Sequence, residues 1–188
     1  MEKREKIKRN IYQITNNNGL GDEIARIIAS LYDYMTEKKL RGGCHAFSSI
    51  LYVALSEMGM KPQLFVGECK IDGQPPFEHS WVSIDGKAID IAVCYPLYPT
   101  ESNVRGPIVF DIDASSMKNG EFSYNKGADT PMSIDTQIVI NTSFDVYMSN
   151  YPYEKDGLWT VLELVMPETY PFDLELLKKK YANTSRNF

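Results

Sequence analysis

Cys44, His79 and Asp90, in that order along a chain of 188 residues, are the side chains whose types and spacing could do chemistry together. A thiol supplies a nucleophile, an imidazole its base, and a carboxylate orients and charges the ring; the combination attacks an acyl carbon through a thioester. Cys44 follows Arg41-Gly42-Gly43 and opens a run with Phe47, Ile50, Leu51, Ala54, Leu55 and Met58 at helical spacing, closed by Gly59. That places the thiol at a helix N-terminus, where unsatisfied N–H groups and the macrodipole favour a thiolate. The glycines allow a sharp turn and leave room for a substrate carbonyl, and the backbone N–H of Cys44 is expected to be one oxyanion-hole donor.

His79 and Asp90 need a hairpin to meet. His79–Ile84 and Lys87–Val93 flank Asp85-Gly86, a dipeptide suited to the primed two-residue turns that join hairpin strands. Such a turn pairs Ile84 with Lys87, so Trp81 falls opposite Asp90 and His79 opposite Ala92. His79 and Asp90 then share a face as diagonal neighbours roughly 7 Å apart, a span an imidazole and a carboxylate can bridge. A slip of one residue would send them to opposite faces.

The surrounding elements follow from periodicity. Ile7, Ile11 and Ile14 predict a first helix ending at Asn16-Asn17-Asn18-Gly19, and Asp22 caps a second carrying Ile24, Ile27, Ile28, Leu31 and Met35 to Leu40. Gln63 to Ile71 reads as the first strand and Gly73-Gln74-Pro75-Pro76 as a loop. Pro96, Pro99 and Pro107 break up a later loop. Ile108–Ile112, Gln137–Ile140 and Leu158–Met166 read as strands, Ser115–Ser133 as a long unpatterned loop of the kind that borders sites, and Pro171–Ala182 as a closing helix with Asp173 at its start. The expectation is one α+β domain over residues 1–188, helical over 1–60 and mainly sheet over 61–188 with a C-terminal helix.

Other reactive side chains fit supporting roles. His45 points about 100° round the helix from Cys44 and is a poor base for it. Cys69 and Cys94 are expected to line the core or cleft. Three cysteines and two histidines without a Cys-x-x-Cys or His-x-x-x-His pair do not make a zinc pattern. Trp81, on the His79 face, either shields the triad or fills the core, and the tyrosines between Tyr95 and Tyr153 either line a cleft or pack.

Composition bounds the partners. With 43% apolar residues the chain can bury a core without disulfides, and its net charge of −5 argues against a nucleic-acid backbone. The basic runs Lys6–Arg9 and Lys178–Lys180 interleave with apolar residues as solvated helix faces do. No secretory h-region follows the charged start and no apolar run reaches membrane length, so a soluble cytoplasmic protein is expected, in which the sequons at Asn141 and Asn183 are chance.

A helix-opening Cys44, then His79-Ser80-Trp81-Val82 and, past a tight turn, Asp90-Ile91, resembles the transglutaminase-like superfamily of papain-like cysteine enzymes over residues 40–95. The resemblance implies a papain-like α+β fold, N-terminal helices packed on an antiparallel sheet, with Cys44 as nucleophile, His79 as general base and acid and Asp90 as orienter. It implies no metal or organic cofactor, and a peptide, protein or small amide as substrate for a protease, deamidase or acyltransferase. Arg41-Gly42-Gly43-Cys44 also resembles arylamine N-acetyltransferases, which use coenzyme A thioesters, but lacks the residue those enzymes usually place between the second glycine and the cysteine. Lasso-peptide processing proteases share the same core. Coenzyme A-dependent acyl transfer, and a noncatalytic binding module retaining the fold, are the alternatives.

Overall fold

A computed structural model describes residues 2–97, 106–126 and 131–187. Pro99 and Tyr98 of the sequence reading lie outside the described residues. Three helices come first: α1 (Glu2–Asn17), α2 (Gly21–Glu37) and α3 (Cys44–Glu57). Ile7, Ile11 and Ile14 of α1 and the Ile24 to Met35 stripe of α2 are buried, as their spacing demands. Asp22 lies inside α2 and accepts a hydrogen bond from Asn16 at 2.8 Å in place of capping it. Arg4 and Lys8 of α1 both pair with Asp33 of α2, at 2.8 and 2.6 Å. Central α3 is apolar on nearly every side because α2, α6 and the sheet all pack on it.

The sheet is antiparallel throughout, with β1 (Gln63–Ile71), β2 (Phe77–Ile84), β3 (Lys87–Asp90), β4 (Ile108–Val109), β5 (Ile112–Asp113), β6 (Lys118–Asn119) and β7 (Phe122–Lys126). The spatial order is β6-β5-β4-β3-β2-β1-β7. β6 and β7 therefore occupy opposite ends of the order, yet only Gly120 and Glu121 separate them in the chain. Three Cα steps reach at most about 11 Å. The sheet must curl until its two ends almost touch, giving it an inner and an outer face.

Leu64, Val82, Ile84 and Ile89 on the outer face join the helical core, while Phe65, Cys69, Ile71, Trp81 and Ala88 on the inner face form a second cluster with Phe77, Phe122 and Tyr124. Phe65 stacks on Trp81 at 5.3 Å between centroids, and Trp81 on Tyr124 at 4.8 Å. Burial on both faces explains why β2 is continuously buried from His79 to Ile84 and does not alternate.

Several expected elements differ. Residues 158–165 and 137–140 are helical, in α6 (Leu158–Val165) and α4 (Ile134–Asn141), joined by α5 (Phe144–Ser149) and followed by α7 (Leu174–Tyr181). In α6 the buried set Leu158, Val161, Leu162 and Val165 has helical spacing, which outweighs its strand-forming residue types. In α4 the Ser133 side chain accepts the Thr136 N–H and starts a helix. The stretch 108–112 is two strands, because Phe110 and Asp111, both at positive φ (52° and 66°), form a primed turn between them. The expected loop 115–133 contains β6 and β7. The closing helix is present, capped by Asp173.

Candidate functional site

Arg41 to Cys44 makes the turn into α3. Gly42 has φ +67° and lies against Leu97, where a Cβ would come within 2.9 Å of the leucine Cβ. A Cβ on Gly43 would meet the Phe47 ring at 2.6 Å. Gly43 occupies the N-cap and offers no side chain to the first turn of α3. The opening N–H groups of that helix, Cys44 among them, have no intrahelical acceptor.

The hairpin forms as the dipeptide predicts. Asp85 and Gly86 both have positive φ (50° and 79°), and Ile84 pairs with Lys87, Ser83 with Ala88 and Val82 with Ile89. The ladder ends earlier than expected: β3 stops at Asp90, and Ala92 starts a 3-10 turn, so His79 has no partner there and pairs instead with Gly67 of β1. Asp90 causes this ending. Its Oδ1 accepts the N–H groups of Ala92 (3.1 Å) and Val93 (3.0 Å), turning the chain out of the sheet.

The other carboxylate oxygen faces His79. His79 Nε2 donates to Asp90 Oδ2 at 2.7 Å, with both residues buried. This bond leaves Nδ1 for a second partner, and Cys44 lies near enough for its charge to act on the ring. The structure thus brings the three sequence-selected side chains together. Burial disfavours an imidazolium here, but the Asp90 and Cys44 charges and the hydrogen bond to Asp90 outweigh it, raising the His79 pKa to about 10. An imidazolium beside the thiol persists through neutral pH.

Tyr124 is the member that sequence reasoning missed. Its hydroxyl donates to Asp90 Oδ2 at 2.9 Å, and burial, followed by the nearby carboxylate, keeps the phenol protonated. It arrives on β7, which pairs with β1 through Cys69↔Tyr124 and Glu68↔Asn125. Gly67 permits that close approach, since a Cβ there would lie 2.2 Å from the Asn125 carbonyl oxygen. Tyr124→Phe is expected to retain the fold and cost about 1.5–3 kcal/mol, the contribution of a buried hydrogen bond to a charged group. Urea unfolding of the variant checks this, and a change below half a kcal/mol would mean the hydroxyl contributes nothing to Asp90.

His45 is held away from the thiol. Its Nδ1 contacts Ser80 Oγ at 2.5 Å, and its Nε2 lies 3.5 Å from Thr136 Oγ1. Burial first, then the positive charges of His79 and Arg186, lower its pKa to about 4, so it stays neutral. Thr136 and Ser133 are tied in turn to Glu78, whose carboxylate accepts the Ser133 N–H and hydroxyl, both at 2.5 Å, and the Thr136 hydroxyl. Glu78 thereby fixes the start of α4 beside the strand that carries His79.

Cys69 is fully buried and Cys94 half-buried, with its thiol 3.3 Å from the Ile91 carbonyl, and burial pushes both thiols up. Trp81 packs inside the curled sheet, as described above. A cavity of ≈ 330 Å³ opens beside the Cys44 turn, lined by Arg41, Gly42, Gly43, His45 and, from the C-terminal half, Tyr147, Tyr151 and Tyr153. Among the described residues no three His, Cys, Asp or Glu side chains cluster to hold a metal ion, and no helix is long and apolar enough to cross a membrane.

Comparison of the chain with family models, with curated proteins and with solved structures returned no match.

Proposed function

We propose that this protein is a transglutaminase-like cysteine enzyme that hydrolyses or transfers an acyl group through a thioester on Cys44. One observation carries the proposal: the buried His79 ring donates through Nε2 to the Asp90 carboxylate at 2.7 Å, with Cys44 close enough for its charge to act on the same ring. In the first half-reaction the Cys44 sulfur forms a bond to the acyl carbon, and the carbonyl oxygen takes the negative charge beside the Cys44 N–H. The bond to the leaving amine then breaks as the His79 imidazolium gives that nitrogen its proton. In the second half-reaction water or an amine attacks the thioester, neutral His79 takes the proton, and the carbon–sulfur bond breaks to restore the thiolate. Asp90 holds the ring throughout.

The cavity bordered by Gly42, Gly43 and Tyr147 is the approach for the acyl group, because it reaches the turn carrying the Cys44 N–H. The test is acyl-enzyme trapping. Incubation with simple 4-nitrophenyl esters, acid quenching and peptide mass spectrometry is expected to find the acyl mass on the Cys44 peptide and on neither the Cys69 nor the Cys94 peptide. A Cys44 that stays unacylated by activated esters would favour a noncatalytic binding module with this fold.

A further inference from the structure

The C-terminal segment returns to the sheet beside β1, where Asn187 exchanges backbone hydrogen bonds with Leu64 and Val66, both at 2.9 Å. This places Arg186 in the interior, only 8% exposed. Its guanidinium lies against the Phe144 ring (5.2 Å) and the Tyr147 ring (5.0 Å) of α5. One nitrogen reaches the Thr142 carbonyl at 3.5 Å, and Nη2 is buried with no hydrogen-bond partner. No acid among the described residues forms an ion pair with it, and burial pulls its pKa down. Aromatic faces compensate part of the cost of a buried cation, but they leave its N–H donors unsatisfied.

A cavity of ≈ 440 Å³ lies over this side chain. Arg186 lines it together with the two Asn-Thr-Ser segments, 141–143 at the end of α4 and 183–185 after α7. No acid is among the residues lining the cavity, and Asp145, next to Phe144 in the chain, accepts the Ser143 hydroxyl at 3.2 Å. A buried fork of donors without a counter-ion, set in a neutral polar wall, suits a carboxylate or phosphate. Tyr147 links Arg186 to the turn that carries Cys44. Its ring packs on the Arg186 guanidinium at 5.0 Å and also lines the cleft beside Gly43.

We infer that the Arg186 cavity is an oxyanion subsite, and that the substrate acylating Cys44 carries a carboxylate or phosphate at its far end. The substrate half of this inference rests on the thioester reading; the binding half does not. Two measurements separate them. In the first, kcat/KM for Cys44 turnover is compared between the 4-nitrophenyl monoester of glutaric acid and 4-nitrophenyl pentanoate, equal in chain length and different in charge. The wild type should prefer the anionic ester by roughly 10- to 100-fold, as a charge-assisted hydrogen-bonded pair provides. The ratio should fall to about one or below in Arg186→Gln. It should also fall in Ser185→Asp, which sets a carboxylate at an exposed position of the cavity wall and leaves the buried arginine in place.

In the second, glutarate and inorganic phosphate are titrated calorimetrically into the full-length protein. Saturable binding that weakens with salt and vanishes in both variants is expected, and the tighter of the two probes identifies the group. Binding without acylation by either ester would sink the thioester reading and leave the anion site standing. Acylation without charge preference, and no saturable binding of either anion, would overturn the anion site.

Discussion

Asp90→Ala is expected to cost about 3–5 kcal/mol of stability, the range for removing one partner from a buried, hydrogen-bonded charge pair. The size follows from four donors on one carboxylate: His79 at 2.7 Å, Tyr124 at 2.9 Å, and the Ala92 and Val93 amides at 3.1 and 3.0 Å. All would be left unsatisfied, and two of them hold the end of β3. Asp90→Asn separates fold from chemistry. It keeps an acceptor for the amides but loses the charge that sustains the imidazolium, so acyl turnover should drop far more than stability. Urea midpoints of both variants, with turnover measured on the same preparations, check this. A shift below 1 kcal/mol for Asp90→Ala would remove Asp90 from the centre of the site.

His79→Ala should lower acyl turnover by about 10²- to 10⁴-fold, the usual contribution of a positioned general acid–base. Its effect on stability depends on pH in a definite direction. Burial opposes charge on His79, but Asp90 and Cys44 outweigh it and raise its folded pKa to about 10, above the ~6.5 of an unfolded histidine. A raised pKa gives a contribution fully present below about pH 6.5 and lost as pH climbs through about 10. The stability gap between wild type and His79→Ala is therefore widest near pH 6 and closes towards pH 10. Unfolding curves at several pH values test the sign; a gap that widens with pH would mean that His79 is buried neutral.

The parts of the fold carried by short-range signals were legible in the sequence. The 3.6-residue spacing of Ile7, Ile11 and Ile14 and the Asp85-Gly86 turn each encode their geometry locally, and the second fixes the register that sets His79 and Asp90 on one face. Beyond Cys94 the code is less local. Phe110 at positive φ announces no turn, since aromatic residues rarely adopt it. Residues 158–165 contain a helical burial pattern beneath strand-forming types, and weighing composition above spacing hid it.

Tyr124 and Arg186 were illegible for a different reason. Each joins the site through pairing with β1, of Tyr124 with Cys69 and of Asn187 with Phe65, contacts that span 55 and 122 positions and leave no periodic trace. Gly67 was the available clue to the first of them. A glycine within a strand often marks a place where another backbone must come close, and here that backbone belongs to β7.

The most direct test of the account is the alkylation rate of Cys44 with iodoacetamide from pH 4 to 10, resolved from Cys69 and Cys94 by peptide mass spectrometry, in wild type and His79→Ala. Cys44 should react fastest of the three, an advantage lost in the variant. A Cys44 that reacts no faster than Cys69 and Cys94, or equally in both proteins, would contradict the pairing of Cys44 with His79 on which the proposed chemistry depends.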